Sequence, residues 1–431
     1  MKGMKMKRKQ LKVVVGLSIL TALYSNVAWA DGFGIPEQGA RAMGVAGAFT
    51  AVANDLSAIY YNPAGLTQME PGIHIAAGGT FILFGSEYQT LSGSGKRDSV
   101  QRGQFPPHLY SAYVFDNKKM ALGLGIFAPY GLGVDWGSRD VSKWNGRYNV
   151  VAVDLKTVFI NPTFVFKPVP ELSIAVGASA VLGIAELKRQ QIFSQPPTDD
   201  GSAHMGATGA SFAANVGLLW KPMEELAIGL TWRSHSHLFL GGNVDFTVPA
   251  TFATSFPDQT ATTKISLPNK ITFGAAYKVT KEIELSLNFD YTFWSIFDQV
   301  VFKFPNVGGA PAENVYVENW KDSFTVRLGA SWNLNPSWQL RCGFLFDSTP
   351  VPDDTLSPLL PDQARFGASV GFGWKTGSFS LDWAFMALFF THRTGTASNI
   401  LSNSDSLSDG PYTQKYYNSA YLSGLTLGYK F

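Results

Sequence analysis

Charge is what this chain of 431 residues has least of: Asp, Glu, Lys and Arg make up 15% of it, against about 25% in an average soluble domain. With 45% hydrophobic residues alongside so few charges, it is not a disordered chain. Long apolar runs are also missing. Beyond residue 30 no hydrophobic stretch reaches the ~18 residues that a membrane-spanning helix needs, so a helical membrane protein is excluded. The single cysteine, Cys342, permits no internal disulfide. A basic stripe interleaved with aromatics is absent too, which argues against nucleic-acid binding. So are a phosphate loop, paired catalytic carboxylates and a Cys/His dyad, and neither an enzyme nor a cofactor is expected.

What is present begins with an export signal. Lys2, Lys5, Lys7, Arg8, Lys9 and Lys12 form a basic start, Val13 to Tyr24 an apolar core, and Ala28-Trp29-Ala30 a small-x-small cleavage site. Cleavage is expected before Asp31, with no cysteine there to take a lipid. Loss of those six cations turns the formal charge of +2 into −4, so the apparent pI of 8.4 reflects targeting.

A mean hydropathy of only +0.03 is reconciled with membrane residence by an outer-membrane β-barrel, which buries only alternate residues in lipid. Gly at 43 and aromatics at 14% fit its turns and aromatic girdles. Six short turns are legible at 116–119, 167–171, 221–225, 279–282, 333–337 and 375–378. Between them lie seven longer stretches at 85–106, 131–148, 191–208, 240–263, 298–319, 348–363 and 393–415. Thirteen connections predict fourteen strands over 72–431, and the even count places both barrel ends with the short, periplasmic turns. Period-2 alternation assigns faces: Ile283, Leu285, Leu287, Phe289, Tyr291 and Phe293 meet lipid, with Glu284, Ser286, Asn288, Asp290 and Thr292 opposite. In the last strand Tyr421, Leu425, Leu427, Tyr429 and Phe431 share the lipid face.

Residues 31–71 lack that alternation. A periplasmic extension should be polar, whereas Phe33, Ile35, Phe49, Ile59, Tyr60 and Tyr61 need burial. The segment is therefore expected to plug the lumen as a hatch, since a fourteen-strand barrel has room for it.

At Tyr61-Asn62-Pro63-Ala64-Gly65-Leu66 the mature sequence resembles the FadL family of outer-membrane transporters for long-chain fatty acids and other hydrophobic compounds, including TodX-type hydrocarbon channels. The likeness covers nearly all of it: Asp31-Gly32-Phe33, Leu230-Thr231-Trp232-Arg233-Ser234, Trp294-Ser295-Ile296-Phe297 and Lys321-Asp322-Ser323-Phe324, then Phe346 to Pro352 and Pro361-Asp362-Gln363-Ala364-Arg365-Phe366. It implies a fourteen-stranded barrel with an N-terminal hatch. It also implies that Phe431 is the terminal aromatic read by the outer-membrane assembly machinery.

Candidate residues follow. Asn62 is a good N-cap and Pro63 suits a first helical position, so with Ala64 and Gly65 they start either a short helix through Met69 or an ordinary turn. Pro129, with Tyr130 and Gly131, marks a bulge or break in the third strand, or its extracellular end; by resemblance it is a kink that opens the wall beside the hatch. Strand phase points Arg189, Lys321 and Arg327 inward. By resemblance Arg189 and Lys321 hold the ligand carboxylate; the alternative is a lumenal ion pair with Asp322 or Glu186. Phe33 is either the aromatic that reaches the ligand or a plug core residue. Gly367 to Gly371 fits a nucleophile elbow by chance, being within a strand. His235 and His237 share a face, but no third metal ligand is evident. The expectation is a monomeric, passive outer-membrane channel, surrounded by lipid and lipopolysaccharide. It would capture fatty acids or hydrocarbons at its loops and release them by hatch rearrangement, driven by partition and consumption. A general porin is the remaining alternative.

Overall fold

The computed structural model describes residues 31–90, 96–137, 144, 146–193, 200–307, 309–395 and 414–431. The expected signal peptide lies outside them. The first six strands are β1 (Gly72–Thr90), β2 (Pro107–Val114, with short extensions Lys96–Asp98 and Arg102–Gln104), β3 (Met120–Phe127, resuming at Gly131–Asp135), β4 (Ala152–Val169), β5 (Leu172–Ile192) and β6 (Asp200–Trp220). β7 comprises Leu226–Arg233 and Ser236–Thr247, and β8 comprises Gln259–Leu267 and Lys270–Lys278. β9 (Ile283–Thr292) and β10 (Ser323–Asn333) are connected through the hairpin Gln299–Val307 and Ala310–Val317. β11 (Trp338–Asp347), β12 (Arg365–Thr376), β13 (Phe379–Phe390) and β14 (Gln414–Lys430) follow. Each strand pairs antiparallel with the next. β14 returns to β1 in continuous register from His74 opposite Lys430 to Thr90 opposite Gln414, closing a fourteen-stranded barrel. Closure leaves no unpaired edge, which is what hydrocarbon demands of a sheet.

The faces follow the alternation. Along β9, Ile283, Leu285, Leu287, Phe289 and Tyr291 are exposed outward while Ser286, Asn288, Asp290 and Thr292 are buried inside. Along β5, Ile174, Val176, Leu182 and Ile184 point out. The expected connections are shorter than read from sequence. Residues 298–319 are mostly a hairpin, and strands occupy much of 191–208 and 240–263. Outside the bilayer neither strand face has to be apolar, so the period-2 signal fades although pairing continues.

Residues 31–71 contain two short α-helices, α1 (Ala40–Gly44) and α2 (Ala58–Tyr61), and a 3-10 turn at Pro63–Gln68. This segment hydrogen-bonds to inward-facing groups on many sides of the barrel. Thr80 on β1 donates to the Glu37 carbonyl at 2.8 Å and Tyr110 on β2 to the Gln38 carbonyl at 2.7 Å. Asn288 on β9 donates to the Gly47 carbonyl at 3.2 Å, and Ser369 on β12 to the Gly44 carbonyl at 3.2 Å. Wall glycines permit the approach. A Cβ on Gly229 would overlap the Thr50 carbonyl, and one on Gly343 would overlap the Val45 backbone. Gly343→Leu should therefore push the N-terminal segment off the wall while barrel pairing persists. Heat-modifiable gel migration is expected to stay barrel-like while the segment gains protease sensitivity; unchanged protection would contradict this packing.

Candidate functional site

The site begins at the break in β3. Ala128 to Tyr130 leave the sheet, and the N-terminal segment supplies the missing backbone partners. Ile35 N–H donates to the Pro129 carbonyl at 2.8 Å and Gly131 N–H to the Phe33 carbonyl at 3.0 Å, with Gly34 bridged to Tyr130. Tyr130 is also tied to β4, because Thr157 Oγ1 donates to its carbonyl at 2.8 Å. A proline is tolerated here because the ladder has already stopped.

Phe33 sits at the centre of an aromatic cage. Its ring lies 4.8 Å from Trp294, 5.5 Å from Phe297, 5.8 Å from Trp320 and 6.0 Å from Tyr130, centroid to centroid. Gly32 precedes it at φ +57°, where a side chain would strike the Trp320 ring. Asp31 is fixed by Trp294 Nε1 at 3.1 Å and Lys270 at 3.5 Å.

Phe33 borders a cavity of 290 Å³. Its inner wall carries Ile35, Leu132, Leu155, Leu360 and Leu422. At the break it is bounded by Phe105 and Val158, which are 60% and 39% exposed on the outside of the barrel. The cavity thus extends from the lumen into the interruption of the wall. A second apolar cavity of 80 Å³ shares Phe33, Leu132, Leu155 and Leu360 with the first and continues toward Met205, Phe302 and Glu318.

The polar end of the larger cavity holds Glu37, Asp362 and Arg365. Arg365 is already committed: its Nη2 and Nε lie 2.7 and 2.8 Å from Asp347 Oδ2. Asp362 accepts from the Thr349 hydroxyl. Burial raises the Glu37 carboxyl above its ordinary value, and raises Asp362 to about 7, with Arg365 opposing both shifts. Glu318 in the extracellular hairpin region is raised to about 8 by burial, against a hydrogen bond of 2.9 Å from Trp320 Nε1.

The sequence candidates separate into two groups. Phe33, Tyr130 and Gly131 line the cavity, with Pro129 in the break. Asn62 caps the 3-10 turn, its Oδ1 accepting from Ala64 N–H at 3.2 Å and its Nδ2 donating to the Thr50 carbonyl at 2.8 Å and the Leu218 carbonyl at 3.0 Å. Pro63, Ala64 and Gly65 are buried behind it. Arg189 and Lys321 stand apart, as neither lines the two cavities that Phe33 borders. Arg189 sits near the end of β5, donating to Gln191 at 3.1 Å rather than pairing with Glu186. Lys321 is exposed and lies between Val317 and Ser323, outside either strand, so strand parity does not govern its side chain. Asp322 instead accepts from Tyr291 and the Ser295 N–H. His235 and His237 have rings 5.3 Å apart, and among the described residues no third ligand joins them. Sequence reasoning gave no role to Glu37, Asp362 or Arg365; the only signal for Asp362 and Arg365 was their place within the Pro361 to Phe366 string, and Glu37 carried none.

A lipid-facing antiparallel barrel whose lumen is filled by its own N-terminal segment around an apolar cavity is an outer-membrane transport barrel. The chain belongs to the outer membrane protein transport protein family (OMPP1/FadL/TodX), whose profile matches residues 21–431. It is similar to the long-chain fatty acid transport proteins of Salmonella typhi and Escherichia coli K12, each 24% identical over 99% of this chain and 100% of the relative. Among solved structures, a Pseudomonas aeruginosa FadL homologue superposes with a TM-score of 0.81 at 18% identity, covering 93% of this chain and 100% of the other. The Pseudomonas putida toluene transporter TodX superposes with a TM-score of 0.72 at 14% identity, covering 88% and 94%.

The Glu318 shift has a defined pH signature. Its carboxyl is raised from an ordinary 4.5 to about 8 in the fold, so the stability it contributes is present below about pH 4.5 and lost as pH rises toward 8. Glu318→Gln, which keeps an acceptor for Trp320, should remove that loss. The difference in thermal stability between variant and wild type is expected to grow by a few kcal/mol from pH 5 to 8, at roughly 1.4 kcal/mol per pH unit. A difference independent of pH would show that the carboxyl titrates normally.

Proposed function

We propose that this protein is a passive outer-membrane channel for hydrophobic compounds of the fatty-acid or hydrocarbon class. The observation that carries the reading is the apolar cavity at Phe33 that continues into the break of β3. A lipophile captured at the extracellular loops moves through the apolar space near Phe302 and Met205 to the Phe33 cage. It leaves when the N-terminal hatch rearranges at Pro129 to Gly131. Removal of apolar surface from water, about 25 cal/mol per Å², drives capture, and consumption in the cell keeps the gradient inward. The names of the relatives support both ligand classes, as the curated ones are long-chain fatty acid transport proteins and one structural neighbour is a monoaromatic hydrocarbon channel.

One observation favours an uncharged ligand within that range. The cations lining the cavity are already matched, Arg365 by Asp347, with Glu37 and Asp362 beside it, and Lys156 by Asp154 at 2.8 Å. A carboxylate entering there meets more acid than base, and desolvating it without a free counter-charge is costly. Binding of decane and decanoate to the purified protein at pH 8 tests this. Decane is expected to bind at least as tightly as decanoate, and Phe33→Ala to weaken decane by an order of magnitude or more, as suits loss of a buried aromatic worth about 1.5–3 kcal/mol. Preference for decanoate would restore the fatty-acid reading. Binding of neither, with large steady single-channel conductance, would identify a general porin.

A further inference from the structure

On the other side of the N-terminal segment from the apolar space lies a polar cavity of 50 Å³. Its wall side comes from β6 to β10 and its inner side from Gly47, Thr50, Tyr60 and Tyr61. Among the described residues lining it, Arg233, Lys270 and Arg327 bring three positive charges and Asp290 one negative. Asp290 Oδ2 is shared, standing 3.1 Å from Lys270 Nζ and 3.1 Å from Arg327 Nε. Asp31 stands 3.5 Å from Lys270. Within ion-pair distance two carboxylates, Asp290 and Asp31, serve Lys270 and Arg327, while Glu37 and Asp347 act on Arg327 from further off.

Among the described residues lining the cavity, the cation left without a carboxylate partner is Arg233. Its guanidinium donates one hydrogen bond, of 3.1 Å, to the Tyr60 carbonyl and lies 5.0, 5.6 and 6.0 Å from the ring centroids of Tyr60, Phe127 and Phe159. No carboxylate is within ion-pair distance among the described residues. Aromatic faces attract a guanidinium but leave most of its five N–H groups without acceptors. Two further buried donors around this cavity lack partners, Asn215 Nδ2 and Arg327 Nη2. The amide of Asn215 is oriented by Asn161, which donates to Asn215 Oδ1 at 2.7 Å, so the unused group there is the donor. Asn288 Oδ1 and Asp290 Oδ1 lack donors as well, and water suits them. A half-buried guanidinium without a carboxylate partner, beside buried N–H groups without acceptors, in a small polar space calls for an anion.

We propose that this cavity binds a small monovalent anion of the halide or carboxylate class, held by Arg233 together with Asn215 and Arg327, accompanied by water. The bound anion bridges the N-terminal segment, through Tyr60 and Thr50, to the wall strands that carry these donors. The size fits a headgroup or a free ion and not an alkyl chain. Occupancy therefore fixes the segment without competing for the apolar cavity, and the inference stands independently of which lipophile is carried.

The test uses the full chain in neutral detergent, with sodium bromide, chloride or acetate exchanged for gluconate at constant ionic strength. A saturable decrease in proteolysis of the N-terminal segment is expected with each small anion. Crystals soaked in bromide should show an anomalous peak within hydrogen-bonding distance of Arg233. Arg233→Gln should abolish the saturable response and the peak, and Arg233→Lys should retain a weaker response. Decanoate that protects where acetate does not, and that displaces bromide, would identify the anion as the head of a carried acid; protection by acetate identifies a free ion. No difference from gluconate, no bromide peak in the wild type, or a response preserved in Arg233→Gln overturns the proposal. If the Gln variant fails to assemble, the wild-type bromide peak decides alone.

Discussion

Hydrocarbon offers no partner to a backbone N–H or C=O, so a wall that faces lipid must pair every one of them with protein. Most of the strand-to-strand ladders do so by ordinary pairing, and closure of β14 on β1 removes the edge. In β3 the pairing is interrupted where Ala128 to Tyr130 leave the sheet. Their backbone groups are satisfied from inside by Ile35 and the Gln38 side chain, with Gly131 bonded to Phe33 and the Tyr130 carbonyl held by Thr157 of β4. The apolar cavity exists because of that substitution. An intact β3 would seal the wall, and an unpartnered break would be unstable in lipid.

The same inward partnership governs the polar residues of the lumen. Lumenal charges are mostly arranged as short-range sets: Arg365 with Asp347, Arg341 with Asp382, and Lys270 and Arg327 on Asp290. Buried ion pairs contribute little net stability when complete and cost heavily when one member is lost. These sets join wall strand to wall strand, and two of their members also reach the N-terminal segment, Lys270 through Asp31 and Arg327 through the Ala46 carbonyl at 3.1 Å. Gly229 and Gly343 matter for the same reason, as backbone approaches backbone where no Cβ intervenes.

Much of this was legible from residues alone where lipid imposes a pattern. The alternation from Ile283 to Phe293 reports which side chains face hydrocarbon, because a misplaced charge there is costly, and the six short turns fix the strand number. Pro129 announced an interruption, since a proline cannot serve a closed ladder. The extramembrane hairpin at Gln299–Val317 was not legible, because both of its faces meet water or protein. The surroundings of the basic residues were less legible. Arg189 lies near the end of β5, and Lys321 lies in an interruption where parity carries no information. Whether a lumenal cation is free depends on partners such as Asp31 and Lys270, which lie far apart in sequence and meet only after closure.

That last point bears on how the molecule is made. The N-terminal segment bonds simultaneously to β1, β2, β6, β9 and β12, so it does not resemble a cork pushed into a finished tube. The seam between β1 and β14 joins residues nearly a whole chain apart, such as His74 and Lys430. For the contents to end up gripped on all sides, they must be in place before that seam zips shut. The finished fold is thus a wall wrapped around its own first residues.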